Sequence, residues 1–170
     1  MFIRNLSVAL LAFIAVGIAS PQSRAASAYE IDAGVRETLD RFYYKVGGSR
    51  ELVHKAVGVL VFPSIVKAGF GIGGEYGEGA LLINGRNAGY YNDVSGSFGF
   101  QIGIQERSVI IAFMTPEALH QFRTTAGWKV GADASVAVIT VGAGGSIDTN
   151  KITSPVVGFI LDPKGLMYNL

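Results

Sequence analysis

The stretch ALLINGRNAGYY, residues 80–91, contains the clearest fold signal of the chain. Asn84-Gly85 lies between two short runs, 80–83 and 88–91, that are rich in apolar and aromatic residues. Asn-Gly adopts the positive φ angles of a two-residue turn, so this segment predicts a β-hairpin. Strands joined by so tight a turn must be antiparallel.

Strand-type sequence continues on both sides of this hairpin. Apolar, β-branched or alternating runs predict further strands at 57–62, 97–106, 108–114, 128–141, 156–161 and 166–170. Turns are predicted between 106 and 108 and at 162–165, where the sequence is Asp-Pro-Lys-Gly. Helical periodicity is restricted to Ile31–Val46, to 50–55 and to a segment from Pro116 to about Thr124 that Thr115 would cap. Ser27 followed by Glu30 predicts a capping box before the first helix, although cleavage after Ala28 would remove the cap. The predicted fold class is therefore α+β: a bent antiparallel β-sheet or partial barrel with two or three packed helices.

Glycines alternate along two of the predicted strands. The first series is Gly69, Gly71 and Gly73, followed by Gly74, and the second is Gly99 and Gly103. Glycine at every second position leaves one face of a strand without side chains, which permits close approach by another backbone, an aromatic ring or a ligand. A sharply bent sheet uses glycine in the same way. We favour packing over ligand binding at these positions.

The N-terminus has the layout of a secretory signal peptide, which we assign to residues 1–28. Arg4 precedes an apolar run, 6–19, and the small residues Ala26 and Ala28 flank the predicted cleavage site after Ala28. The run is shorter than the roughly 20 residues of a membrane-spanning helix, although an uncleaved anchor and cleavage at Ala19 are alternatives. Residues 29–170 are predicted to form a single domain.

Charge and cysteine content narrow the possible functions. Without residues 1–28, the 14 basic residues of the chain fall to 12 against 13 acidic ones, a formal net charge of −1. Such a domain lacks the positive field that nucleic-acid binding needs. The absence of cysteine excludes disulfides, thiolate chemistry and lipid attachment to cysteine, and is compatible with the bacterial periplasm.

No pattern typical of a catalytic, nucleotide or metal site is complete. Residues 69–74 match G-x-G-x-x-G, but strand-type sequence follows instead of the helix that a dinucleotide site requires. His54 and His120 lie outside any metal-binding motif, and Asp148 lacks the rest of a calcium loop. Glu75 and Glu78 could act as an acid–base pair, but we interpret them as solvated loop acids. We expect no enzyme activity, no metal and no cofactor.

Several separated segments resemble the SYLF domain family. They are residues 59–74 (VLVFPSIVKAGFGIGG), 75–79 (EYGEG), 96–105 (GSFGFQIGIQ), 113–115 (FMT) and 131–135 (GADAS). The resemblance covers roughly Val35 to Leu170. The motif positions for which it implies a structural role are Pro63, Gly69, Gly71, Gly73, Gly74, Tyr76, Gly99, Gly103 and Asp133. The family usually continues beyond the segment that residues 165–170 match, which leaves a short last strand or an incomplete C-terminus as alternatives.

The resemblance implies a lipid-binding module whose partner is a phospholipid or membrane surface. Eukaryotic members bind phosphoinositide membranes and some bind actin, whereas bacterial members are small exported proteins. With a bacterial-type signal peptide we expect an exported protein of the periplasm or envelope, and we expect no actin, nucleotide or nucleic-acid binding. The alternative is a periplasmic structural or protein-interaction domain without a lipid ligand.

Lipid binding needs cations for the head groups beside exposed apolar anchors. Lys67 and Phe70, in a predicted glycine-flanked loop, form such a pair, although Lys67 could instead neutralise Glu75 or Glu78. The N-terminal helices could add cations and an apolar edge. Those cations are Arg41, Lys45, Arg50 and Lys55, and the apolar edge is Phe42 and Tyr43. The alternative for these charges is a solvated helix face with i,i+4 ion pairs, which their position favours.

Overall fold

A computed structural model describes residues 26–129, 136–141, 146–148 and 152–169 of the chain. Most of the predicted signal peptide, residues 1–25, lies outside the described residues, as does Asp133. The elements, in chain order, are α1 (Ala28–Lys45), α2 (Ser49–Lys55), β1 (Gly58–Ile83), β2 (Arg86–Phe113), α3 (Pro116–Thr124), β3 (Val136–Val141) and β4 (Val156–Asn169).

The described strands form one sheet in the order β1-β2-β4-β3, which with the three helices confirms the predicted α+β class. β1 pairs with β2 and β2 with β4 in antiparallel orientation. The pairing of β3 with β4 is parallel, which the antiparallel prediction missed. Residues 142–155 separate these two strands, and a connection of that length is enough to bring the chain back to the same end of the sheet.

β1 and β2 are far longer than the predicted strands, with 26 and 28 residues. Their hairpin turn is the predicted one: Ile83 pairs with Arg86, and Asn84 and Gly85 have φ angles of 51° and 73°. The predicted breaks within these strands are wrong. The segment around Lys67 and Phe70, the acids of 75–78 and the turn between 106 and 108 all lie within continuous strands.

Irregularities in register explain why those segments do not end a strand. The pairing of β1 with β2 shifts between Phe62 and Ile65, which places Pro63 at a bulge, and shifts again between Phe70 and Ile72. A bulge accommodates a residue that cannot donate to the ladder, and it bends the strand without ending it. The turn predicted at 162–165 likewise lies within β4.

The bend of the sheet brings β1 back against itself. A Cβ atom placed on Gly77 would lie 2.7 Å from Ile65 Cγ1 and 2.9 Å from Ser64 O, and one on Gly79 would overlap Val61 O. Residues 77–79 therefore pack on 61–65, so the midpoint of the bend falls near Gly71. Gly69 pairs with Gly103 and Gly74 with Gly96 in this part of the ladder. The bent sheet is confirmed, and the bend lies where the glycines alternate.

Two apolar clusters cover opposite faces of the sheet, as expected from the alternation of side chains along a strand. On one face, helices α1 and α2 bury Val59, Val61, Ala80, Ile110, Ala112, Val157, Phe159 and Leu161. On the other face, α3 packs on Leu60, Phe62, Ile65, Leu81, Ile111, Phe113 and Val156. Trp128 lies against this second cluster, with its ring edge-on to Phe122 at 5.3 Å between centroids.

The helix starts follow the predicted capping chemistry. Ser27 and Glu30 form a reciprocal capping box at α1, and Thr115 accepts from Ala118 N at the start of α3, with Pro116 in the first turn. These contacts satisfy backbone N–H groups that have no partner inside a helix. Among the described residues, the helices are too short or too polar to cross a membrane.

Candidate functional site

One face of the sheet is covered by helices over only part of its length. On β2 the residues Ala112, Ile110, Ile104 and Ile102 lie on the same face, because they are separated by even numbers of positions. Ala112 and Ile110 are buried under α1, whereas Ile104 is 63% exposed and Ile102 is also exposed. The part of this face that α1 covers therefore ends between Ile110 and Ile104.

The exposed part of this face is apolar. We call it the open face, and it comprises Val66, Ile72 and Tyr76 on β1 and Val94, Ile102 and Ile104 on β2. These side chains surround the bend, where Tyr76 pairs with Val94. Isolated exposed apolar residues are normal, but several gathered on one stretch of a sheet are typical of an interaction or membrane-contact surface.

A polar cleft of about 220 Å³ lies where α1 meets the open part of the sheet. Its lining residues are Gly34, Glu37, Thr38, Arg41, Pro63, Glu106, Arg107 and Ser108. Arg41 Nη2 donates to Ser108 Oγ at 3.0 Å and to Thr38 Oγ1 at 3.3 Å, and Ser108 in turn donates to Pro63 O at 2.6 Å. The helix and both long strands thus meet at Arg41.

Three charged side chains hold the bend together. Arg107 Nη2 lies 2.7 Å from Glu75 Oε1, and both side chains are largely buried, at 19% and 13% exposure. Asp93 hydrogen-bonds to Glu75 as well. Glu75 and Arg107 are not register partners, since Glu75 pairs with Ser95 and Arg107 with Ile65. We call this group the clip, because it joins two stretches of the hairpin that meet only when the sheet curls.

The clip contains a carboxyl group with an unusual proton affinity. Burial, the hydrogen bond to Glu75 and the charge of Glu75, in that order of size, raise the pKa of Asp93 from 3.8 to about 6. The nearby guanidinium of Arg107 acts in the opposite direction and lowers this pKa. Two carboxyl groups and one cation therefore share a single partly buried site.

The structure places Lys67 and Phe70 in strand β1, where Lys67 pairs with Gln105 and Phe70 with Ile102. The loop that we predicted for them is wrong. Lys67 is half-buried and follows the buried Ile65 by two positions, so it lies on the face opposite Val66 and the open face. The side chain of Phe70 lies outside the described residues, so its role stays a prediction.

The predicted cations of the helices are divided between two places. Arg41 lines the polar cleft. The other three are exposed at the end of α1 and on α2: Lys45, Arg50, which stacks on the ring of Tyr43 at 4.4 Å, and Lys55, which pairs with Glu51 at 2.7 Å. That end of α1 contacts another segment of the chain, since Ile147 N donates to Gly47 O at 2.8 Å. The predicted i,i+4 pairing is therefore present at Lys55.

Other predicted residues have structural surroundings that differ from expectation. Phe42 is fully buried against Phe159, so it cannot be an exposed apolar edge, and Tyr43 is only half-buried. Glu78 is not a solvated loop acid, because its carboxylate accepts from Ala26 N at 2.7 Å and from the Tyr76 hydroxyl at 2.9 Å. His54 and His120 are exposed.

Glycines at the predicted motif positions mark the bend, but an added Cβ on Gly74 would meet only Ser95 O at 3.8 Å, whereas Gly77 and Gly79 lie in close contact with the backbone of residues 61–65. The sequence analysis identified those two glycines only as part of the segment 75–79, which resembles a family motif. It also missed Asp93 and Arg107, for which no local signal exists. Over the parts of the chain that the structure describes, no three His, Asp or Glu side chains gather as a metal site would require.

Comparison with known families agrees with the resemblance seen in the sequence. Residues 94–169, somewhat under half of the chain, match the family model Ysc84, described as "Las17-binding protein actin regulator". This is the SYLF family, and the match includes the segments 96–105 and 131–135 that carried the resemblance. No curated protein matches the chain.

Proposed function

We propose that this chain, which over residues 94–169 belongs to the SYLF family, is a non-catalytic module that binds phospholipid membranes through its open face. The family is known for lipid-binding and actin-related domains. The observation that carries the proposal is the exposure of Val66, Ile72, Ile102 and Ile104 on a sheet face that α1 covers elsewhere.

The apolar contribution is large enough to hold a small protein at a bilayer. Transfer of a fully exposed Val or Ile side chain out of water is worth roughly 1.5 to 3 kcal/mol. The side chains of the open face are 42% to 71% exposed, so each has about half of that to gain on insertion. Several such groups acting together favour reversible attachment to the interfacial region.

Charge adds a smaller, salt-sensitive contribution. Each Lys or Arg close to an anionic surface contributes about 1 kcal/mol. We propose Arg41, Lys45, Arg50 and Lys55 as these cations; Lys67 is not among them, because it lies on the face opposite the open face. Arg50 and Lys55 already contact Tyr43 and Glu51, but both side chains are exposed and lose little by exchanging those contacts for a head group.

The proposed setting is the bacterial envelope, with export directed by residues 1–28. We propose no actin binding for a protein exported in this way. A second candidate is a protein-interaction domain, and β3 favours it: β3 is an edge of the described sheet, and its Val138 is 55% exposed. An exposed edge strand can accept a strand from a partner.

Vesicle co-sedimentation separates these two functions. The protein is expected to sediment with phospholipid vesicles, and Ile104→Asp is expected to reduce the bound fraction at least tenfold, because a charge on the open face opposes insertion. Val138→Asp is the matched control on β3 and should bind like the unchanged protein. Failure to sediment with both anionic and zwitterionic vesicles would rule out membrane binding, and normal binding by Ile104→Asp would rule out the open face as the surface that binds.

A further inference from the structure

We propose that the signal sequence is cut between Ala25 and Ala26, three residues earlier than the cut after Ala28, and that Glu78 binds the amine that this cut creates on Ala26. The inference rests on the export proposed above and identifies the processing site of the exported precursor. The observations that carry it are the contact between Ala26 and Glu78, the cap of α1 and the charge of Glu78.

Two bonds in this part of the chain have the small residues that a signal peptidase requires. Cleavage after Ala28 has alanine at the last and third-last positions before the cut, and cleavage after Ala25 has Ala25 and Ser23 there. The bonds follow the apolar run 6–19 by nine and six residues, so both lie within about 30 Å of that run in an extended chain. The sequence therefore leaves two products, and the folded domain distinguishes them.

Ala26 is part of the folded domain. Its backbone N donates to Glu78 Oε2 at 2.7 Å, across 52 residues of sequence, and its side chain packs against the apolar cluster under α1. Glu78 Oε1 accepts from the Tyr76 hydroxyl at 2.9 Å, so both carboxylate oxygens are used. A cut after Ala28 would remove the donor of the shorter bond and leave a half-buried carboxylate with one partner.

The start of α1 also uses residues that a cut after Ala28 would remove. Ser27 Oγ accepts from Glu30 N at 3.3 Å, and Glu30 Oε2 accepts from Ser27 N at 2.7 Å. A chain that begins at Tyr29 loses both bonds and places its positive amine in the first helical turn, where the helix dipole disfavours a cation. A chain that begins at Ala26 keeps the capping box intact.

Cleavage before Ala26 converts a neutral hydrogen bond at Glu78 into an ion pair. In the precursor, the described donors to Glu78 are an amide N–H and the Tyr76 hydroxyl, and neither is charged. Hydrolysis consumes one water: the carbonyl carbon of residue 25 gains the hydroxyl, and the nitrogen of Ala26 becomes a primary amine that takes up the proton the new carboxyl group loses. An α-amino group has a pKa of about 7.7 to 8.0, so this nitrogen is positive at neutral pH. A charged donor strengthens the bond.

This ion pair would lie at the edge of the open face. Tyr76, which shares the carboxylate of Glu78 with Ala26, is one of the residues of that face. The chain that precedes Ala26 is therefore attached beside the open face. Cleavage removes an apolar run that would otherwise remain tethered next to the surface proposed to contact the membrane.

Intact-mass analysis tests the cleavage site. The full precursor is expressed in a bacterial host with an export pathway, and the processed protein is expected to begin at Ala26. Ala25→Leu should abolish this product, because leucine is too large for the last position before the cut. Ala28→Leu is the matched control, since Ala28 is exposed at the start of α1, and it should still give a protein that begins at Ala26. A chain that begins at Ser20 or Tyr29, or an uncleaved precursor, overturns the inference.

The pH dependence of unfolding tests the ion pair. The titratable groups around the amine are Glu78 and Tyr76 on β1 and Glu30 on α1, and the hydrogen bond to Glu78 raises the pKa of Tyr76 above its usual 10. Pairing raises the pKa of the amine, so its contribution to stability is present at pH 7 and is lost as the pH rises through that pKa.

The processed protein should therefore have a higher thermal unfolding midpoint than its Glu78→Gln variant at pH 7, and the difference should fall by about half or more by about pH 9.5. Glu117→Gln, which removes an exposed acid on α3, is the matched control and should show no such change. A difference between the processed protein and Glu78→Gln that stays constant up to pH 9.5 overturns the ion pair, because a neutral hydrogen bond would not titrate in this range.

These outcomes are separate from those of the membrane function. A protein that begins at Ala26 but ignores vesicles supports the processing site and rules out membrane binding. A protein that begins at Tyr29 and still sediments with vesicles does the reverse. Ile104→Asp, which is expected to weaken vesicle binding, should be processed at the same bond as the unchanged precursor.

Discussion

Two parts of the same sheet face carry the same kind of apolar side chain but differ in what covers them. Ile110 and Ile104 lie on the same strand and face, six residues apart, yet Ile110 is fully buried beneath α1 and Ile104 is 63% exposed. Ile104 lies in a segment where apolar residues alternate with Gly and Gln, whereas Ile110 lies in the continuous apolar run 109–114, which is buried on both faces of the sheet. The comparison shows that the covered part stabilises the fold, whereas the open part is available for a partner.

The clip and the bend explain why the open part is held in place without a helix over it. Glu75, Asp93 and Arg107 join the curled strands on the inner side, and glycines allow the backbones to approach. A partly buried ion pair adds little net stability, but it specifies one register for the curl. The open face is thus presented by a rigid bend and not by a loop.

The sharpest test of the comparison exchanges the two isoleucines for alanine. Ile110→Ala should lower the free energy of unfolding by about 2 to 5 kcal/mol, because it leaves a cavity under α1. Ile104→Ala should change it by less than about 0.5 kcal/mol, because its side chain is already in water. Urea denaturation measures both. Similar losses at the two positions would show that the open face is buried in solution.

The bend itself is tested at its glycines. Gly79→Ala should destabilise the protein by about 1 to 3 kcal/mol, because the new methyl group would overlap Val61 O and lie 2.7 Å from the Phe62 ring. Gly74→Ala is the matched control, since its methyl group would meet only Ser95 O at 3.8 Å. The measurement is the thermal unfolding midpoint. Equal midpoints for the two variants would contradict the close approach of 77–79 to 61–65.

The clip predicts a pH dependence of stability. Because the pKa of Asp93 is raised to about 6 in the native state, the native protein binds this proton more tightly than the unfolded chain does. The free energy of unfolding should therefore fall as the pH rises from about 4 to about 6 and then level off. Allowing for the partial exposure of the group, the decrease is about 1 kcal/mol.

Asp93→Asn isolates this contribution, because asparagine keeps a hydrogen-bonding group but carries no charge. In this variant the decrease between pH 4 and pH 6 should disappear. Asp40→Asn, at an exposed position of α1, controls for the change in net charge. If Asp93→Asn and the unchanged protein show the same pH profile in urea denaturation, the clip does not contain the titrating group.

The smallest expected effect concerns the helix that covers the buried part of the face. Ser27→Ala removes the hydroxyl that accepts from Glu30 N at the start of α1, which should cost about 0.5 kcal/mol at this exposed helix end. The measurement requires protein that still contains residue 27, because the predicted cleavage after Ala28 would remove Ser27. Thr115→Ala at α3 provides a comparison on the opposite face. A stabilised Ser27→Ala variant would contradict the capping box.

Local features of the sequence were enough to predict several elements. Asn84-Gly85 marked the turn, Thr115-Pro116 marked the start of α3, and Ser27 with Glu30 marked the start of α1. Strand ends were predicted poorly, because Pro63 and the glycines near 70 were interpreted as breaks. In the structure they are bulges and bends inside two long strands, since pairing with a neighbouring strand outweighs the local preference to turn.

The candidate site was predicted only in its chemical character. Cations beside apolar residues were expected, but Lys67 lies on the face opposite the open face and Phe42 is buried. The exposed isoleucines of 97–106 were recognised as a strand and not as a surface. Nothing in that segment reveals whether a helix covers it, because coverage depends on where α1 crosses the sheet.

By itself, the sequence determined the α+β class, the hairpin turn, the helix caps and the similarity of residues 94–169 to the Ysc84 family model. These features depend on backbone preferences and hydrogen bonds that act within a few residues. Tertiary structure alone decided the curl of β1, the meeting of Glu75 with Arg107 across 32 residues, and the division of one apolar face into a covered and an open part. Burial and ion pairing depend on contacts between distant segments, and such contacts exist only once the chain has folded.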